Sequence, residues 1–357
     1  MSTVLATSAL SEAARAADGY RRLVLRRRLL LLLLSLLLCA ALLGDVVTGP
    51  SNLPLGRLLE TLFSPTEATP ALRVIVWDVR LPYALMAVLV GASLSLAGAE
   101  MQTVLNNPLA SPFTLGVSSA ASLGAALAII LGRGVPFIPQ DWLIPANAFV
   151  FALGAMALLH SMSRLRGAGV DTLVLFGIAL VFAMNALVAL LQFVATEQAL
   201  QQLVFWSMGS LSRSTWPKIA ILAAVLAVCI PFCARASWKL TALRLGEDRA
   251  RSFGVDATAL RRGSLLRVSL LAAVSVSFVG TIGFVGLVGP HAARLLVGED
   301  HRYFLPAAAL CGAVLLSVSS VMAKMIVPGL LVPIGIVTAL IGVPVFVALI
   351  FGRARQA

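Results

Sequence analysis

Charge is scarce in this chain: only 12% of its 357 residues are Asp, Glu, Lys or Arg, while 60% are hydrophobic. Soluble globular proteins are about a quarter charged and about half apolar, so composition excludes a soluble fold and predicts an all-α polytopic membrane protein. At about 20 residues per span plus connections, the length allows roughly eight to eleven helices. No long polar stretch remains for a separate soluble domain. The sequence also lacks any GxxxxGK[ST], so it cannot cradle ATP phosphates by the P-loop route. Its three histidines, His160, His291 and His301, are scattered at predicted helix ends, and no paired carboxylates lie within a span. Metal catalysis and acid–base chemistry are therefore unsupported. Intramembrane acids, which mark proton-coupled carriers, are nearly missing too. Glu100 is the main exception, and reads as a satisfied interfacial residue with a coupling role as the alternative. Cys39, Cys229, Cys233 and Cys311 all fall in apolar runs, which implies small hydrophobes rather than a disulfide framework.

What charge there is has a strong sign. The net charge is +12, from 27 Lys+Arg against 15 Asp+Glu. The arginines cluster in a few short loops, so a positive-inside bias explains the excess without a nucleic-acid partner. The largest cluster is a charged island, Ser237 to Arg262, which must lie outside the bilayer because ions buried in hydrocarbon cost several kcal/mol each. Its Leu240, Leu243, Leu245 and Phe253 give it an apolar side. By itself this reads either as a docking surface for a cytoplasmic partner or as an ordinary basic loop.

Taken in order, residues 1–28 form a cytoplasmic N-terminal segment ending in Arg21, Arg22, Arg26, Arg27 and Arg28. The apolar run Leu29 to Val47 then reads as an anchor, with a cleaved signal peptide as the alternative. Ser51 to Leu81 is a mixed loop. A second helix, Tyr83 to Leu105, is rich in small residues and so is expected at the centre of the bundle. Asn106 to Pro112 breaks it, and such a break survives only if buried in protein or lining a cavity. Further spans are expected over 113–131, 142–162, 172–194, 217–236 and 264–279. The amphipathic stretch 195–216 carries interfacial Trp206 and Trp216. Gly280, Gly283, Gly286 and Gly289 form a bare stripe that opens a short eighth crossing, ending in Pro290 to Arg302. Spans over 303–323 and 332–351 complete ten helices, with a tail of 353–357. Alternation from an inside N-terminus places the Arg21–Arg28 cluster, Arg164 and Arg166, the island, Arg294 and Arg302, and Arg353 and Arg355 on one side, as the positive-inside rule requires.

Several long stretches resemble a known family. They are Val79 to Ala125, WSMGSL (Trp206 to Leu211), LTALRLGEDRARSFGV (Leu240 to Val255), GTIGFVGLVGPHAARLLVGEDHR (Gly280 to Arg302) and VPIGIVTALIGVPVFVALI (Val332 to Ile350). In order and spacing they are similar to the permeases that import iron–siderophores and vitamin B12 as parts of bacterial ABC transporters. The resemblance implies a type II ABC importer permease fold, a single membrane domain over 29–352, with both termini cytoplasmic in the inner membrane. It further implies a second permease copy (identical or paralogous), two cytoplasmic P-loop ATPase subunits that use the ATP and Mg, and a periplasmic or lipid-anchored substrate-binding protein. Membrane lipid is the remaining partner, and the chain itself needs no cofactor and is not an enzyme. The island, 237–263, matches the family's coupling segment through Leu245, Gly246, Glu247, Ala250, Gly254 and Val255. Arg80 and Lys324 match outer-face positions that meet the binding protein. Gly91, Gly98, Gln102, Asn106, Asn107, Pro108, Gly280, Gly283 and Gly286 are the residues expected along the translocation path. Tyr83, Ala120, Ser320 and Leu331 depart from the family's usual Arg, Gly, Asp and Glu. The cargo expected is a ferric siderophore, with cobalamin or haem as alternatives; an ATPase-independent carrier or a membrane enzyme is a more distant reading.

Overall fold

The structure is a computed structural model that describes residues 2–49, 53–162, 170–327 and 329–354, with side chains for 15, 17–49, 53–162, 171–327 and 329–348. Ten apolar helices carry the fold: α1 (Ser2–Val47), α2 (Leu81–Val104), α3 (Val117–Leu131), α4 (Gln140–Met162), α5 (Val170–Phe193), α6 (Trp216–Leu243), α7 (Ala257–Val279), α8 (Val285–Val297), α9 (His301–Met325) and α10 (Ile334–Ala354). Seven of the spans are long and apolar enough to cross a membrane alone, and α3, α8 and α10 are the shorter apolar ones. The chain is a multi-pass membrane protein. Arg164, Arg166 and Arg355 fall outside the described residues.

Contacts between helix ends fall into two groups, one at each end of the bundle. Arg27 reaches Asp300, Arg244 reaches Asn106 and Glu299, and Arg261 reaches the Val104 carbonyl, all at one end of the bundle. At the other end Lys324 meets Asp45, Arg80 meets the carbonyls of Val46 and Val47, and Trp216 meets Trp77.

Helix α2 is the axis. It packs most extensively on α9, and also on α7, α8 and α6. Small residues allow this: a Cβ at Gly91 would overlap the Gly312 carbonyl, one at Gly98 the Gly286 carbonyl, and one at Gly289 the Ser95 side chain. With no solvent to drive helices together, such close backbone approach supplies the packing energy in lipid. Helix α5 lies at the periphery, touching mainly α3, and α10 leans on α9 and α8.

Four boundaries differ from the sequence reading. Pro70 to Arg80, expected as loop, is helical and runs without interruption into α2. Val74–Arg80 is wound as a π-turn, with the Leu81 N–H donating to the Val76 carbonyl. Pro82 has no N–H to give and its ring crowds the carbonyl four residues back, and a wider turn relieves both. Helix α1 begins well before Leu29 and is 46 residues long. Helices α6 and α7 both extend into the charged island, leaving only 244–256 between them.

Candidate coupling and translocation sites

Between α6 and α7 a short helix, Glu247–Ser252, is set off by two glycines in left-handed backbone, Gly246 (φ +105°) and Gly254 (φ +77°). No neighbour crowds either position, so backbone conformation alone selects glycine there. Ala250 and Val255 face inward and are buried, whereas Leu245 is 53% and Phe253 59% exposed. The six positions singled out from sequence therefore split: Ala250 and Val255 anchor the segment, Gly246 and Gly254 shape it, and Leu245 and Glu247 lie toward its open side. Phe253, named above only for apolarity, is the larger exposed side chain.

Arginines tie this segment to the bundle. Arg244 donates to Glu299 at 2.5 Å through Nη2 and to Asn106 Oδ1 at 3.0 Å through Nη1. Arg261 donates to Glu247 at 2.5 Å and to the Val104 carbonyl at 3.2 Å. Arg294 joins Glu299 at 3.2 Å and Gln102 Oε1 at 3.1 Å. Thus segment 244–256, the last turn of α2 and the 298–300 turn form one polar cluster. His301 completes it, its ring pairing with Thr103 of α2 at 2.8 Å and Thr241 of α6 at 3.2 Å. Burial raises the Glu299 pKa, but the hydrogen bond and charge of Arg244, then the charge of Arg294, outweigh that and hold it below the ordinary value. The hydrogen bond from Arg302 lowers Asp300 in the same way.

At the far end the two cations expected to be displayed are turned inward. Lys324 Nζ lies 2.6 Å from Asp45 Oδ1 and 4.5 Å from the Tyr83 ring centroid, and Ser320 Oγ donates to the same Asp45 oxygen at 2.6 Å. Arg80 donates to the Val46 and Val47 carbonyls at 3.1 and 2.7 Å. Both cations are buried in this structure, where they close the end of α1 against α2 and α9 rather than face a partner. For Lys324 the reason is Asp45, an acid inside an otherwise apolar run, whereas Arg80 is held by the two carbonyls at the end of α1.

An open-sided cavity of about 680 Å³ lies between these ends, walled by Phe113, Met208, Thr281, Gly283, Phe284, Ile336 and Leu340 among others, none of them charged. Phe113 and Phe284 also border a small void deeper in the bundle, so they partition the two. Phe284 holds φ +66°, a strained backbone for a bulky residue. Of the residues expected along a path, Gly283 lies on the cavity wall. Gly91, Gly98, Gly280 and Gly286 sit in close backbone contacts instead. Gln102 is buried against Arg294, and Asn106, Asn107 and Pro108 lie at the end of the bundle that carries segment 244–256. Phe113 reaches the cavity because the chain after that break re-enters the bundle before α3 begins, which no spacing in the sequence announces.

The chain is 38% identical over 280 residues to the vitamin B12 import system permease protein BtuC of Salmonella typhi, covering 78% of this chain and 84% of that one. It is 35% identical over 283 residues to the hemin transport system permease protein HmuU of Yersinia pestis, covering 79% and 84%. A solved inward-facing metal-chelate type ABC transporter superposes with a TM-score of 0.78 at 32% identity, over 90% of this chain and 99% of that one. These relatives are transport permeases, not enzymes. The profile of the FecCD transport family matches residues 31–352, and the chain belongs to that family as an ABC importer permease.

Proposed function

We propose that this permease moves a ferric siderophore or related metal chelate across the bacterial inner membrane, driven by two P-loop ATPase subunits docked on the segment 244–256. The observation that carries this reading is the exposed Leu245–Phe253 surface stitched by Arg244 and Arg261 to the end of α2. A partner that pushed the short helix Glu247–Ser252 would pull directly on the bundle's central helix. Alternating access follows if closure of the ATPases on ATP shifts that helix and with it the wall around Phe113 and Phe284. The neutral, apolar cavity suits a cargo whose metal is already enclosed by its chelator. The names of BtuC and HmuU favour cobalamin or haem as the second reading. A second permease copy supplies the other wall, and a substrate-binding protein delivers cargo at the Asp45–Lys324 end.

The test is gentle detergent purification of the tagged chain, with mass-spectrometric identification of its companions. A P-loop ATPase in equal copies to the permease is expected, and Phe253→Asp is expected to shed it without loss of folded permease. A chain that purifies alone, in every detergent that preserves its fold, would remove the ATP-driven reading.

A further inference from the structure

A second cavity of about 680 Å³ lies away from the path, between the last turns of α4 and the first turns of α7. Its floor is apolar: Leu153 and Met156 from α4, Leu265 and Leu266 from α7. Its one titratable pair, His160 and Arg262, stands at the end nearest the coupling segment. Leu153 and His160 lie seven positions apart on α4, and Arg262 and Ser269 lie seven positions apart on α7. At 1.5 Å per residue the groove is about 10 Å long and runs along the helices. Ser269 spends its hydroxyl on the Leu265 carbonyl at 2.5 Å, so it adds nothing polar to the floor.

The charge at the mouth is set apart from the coupling cluster. Arg251 and Arg261 are both drawn to Glu247, whereas Arg262 makes no ion pair among the described residues and is exposed. Its Nε donates to the Thr258 carbonyl at 3.4 Å, a long bond that leaves the guanidinium's remaining donors for another acceptor. A slot with hydrocarbon walls, parallel to the spans and closed at the membrane surface by a cation, matches the two halves of a phospholipid. The acyl chain fills the slot and the phosphate meets the guanidinium at headgroup level.

We propose that the α4–α7 groove is a specific site for one anionic phospholipid, with the headgroup phosphate held by Arg262 beside His160. Helix α7 begins directly after the docking segment, so an occupied groove braces α7 against α4 next to the element that a cytoplasmic partner would grip. This site is separate from the translocation cavity and does not depend on what the cargo is.

The full chain is released from detergent holding equal amounts of phosphatidylglycerol and phosphatidylcholine, and its mass is read under non-denaturing conditions. One retained phosphatidylglycerol per chain is expected, favoured about fivefold over phosphatidylcholine, as one Arg at an anionic surface implies. Arg262→Glu is expected to erase the preference and Arg262→Lys to keep most of it. Ala157→Trp, which fills the slot from an exposed position, is expected to lose the lipid while the chain stays folded. Equal retention of both lipids, or a preference that survives Arg262→Glu, would overturn the headgroup assignment. If Ala157→Trp instead dissociated a dimer of this chain, the groove would be a contact between copies and the lipid proposal would be wrong.

Discussion

Lys324 and Asp45 show how a single acid redirects its surroundings. The pair is nearly sealed from solvent, with side-chain exposures of 4% and 0%. Ser320, where the family resemblance leads one to expect Asp, donates to the Asp45 carboxylate; an Asp there would set two carboxylates side by side. Tyr83, where the resemblance leads one to expect a second Arg, offers its ring face to the Lys324 ammonium rather than another positive charge. Two departures that looked unrelated in sequence are thus neighbours around one buried ion pair. Removing one partner strands the other charge, at a cost of about 3–5 kcal/mol, whereas replacing both with apolar groups is often close to neutral. Lys324→Met is therefore expected to lower the unfolding temperature of the purified chain markedly. Asp45→Leu added to it is expected to restore most of the loss. A single variant as stable as the parent would show that the pair does not form.

At the scale of elements, span number and order were legible because runs of about 20 apolar residues between basic loops carry that information directly. Helix ends were not. The sequence reading stopped the sixth helix where charge begins, near Ala236, yet charge ends a membrane crossing without ending a helix. Gly246, with its positive φ, follows the true end at Leu243. Asp256 likewise caps α7 by accepting from the Ala259 N–H at 2.9 Å, a start signal hidden among the island's other charges. The segment 244–256 was recognisable as a distinct unit from its own residues. Its ties to Asn106, Val104 and Glu299 were not, since those partners are far away in sequence. These ties make a pH prediction. Glu299 and Asp300 titrate below their ordinary values of 4.5 and 3.8, so each binds fewer protons folded than unfolded in the acid range. The stability they contribute is fully present above about pH 5 and is lost as pH falls through their depressed folded values. Thermal unfolding of the parent is expected to hold level from pH 8 to 5 and fall below that, and Glu299→Gln is expected to soften the acid limb. An acid limb of the same steepness in both would show that Glu299 carries no such linkage.

The whole molecule is lopsided. One side is closed by α2 packed on α9, α7 and α8, while the 680 Å³ cavity stands open against α10 and the start of α8. Leu340, on the cavity wall, is 66% exposed in the isolated chain. A path for cargo needs walls all round, and the described residues of this chain supply only part of them. A second copy facing α10 across a twofold axis would close the ring with the same residues, as isologous interfaces do. Helix α1 also exposes leucines, Leu36 among them, but it packs on α9 away from the cavity and has no opening to complete. The two faces can be told apart by cysteines placed in a Cys39→Ser chain, since Cys229, Cys233 and Cys311 are buried. Leu340→Cys is expected to yield a covalent dimer with a flexible bis-maleimide in native membranes, and Leu36→Cys to stay monomeric. If Leu36→Cys were the one to cross-link, α1 would form the interface and the open cavity would face lipid. A translocation path through it would then have to be given up.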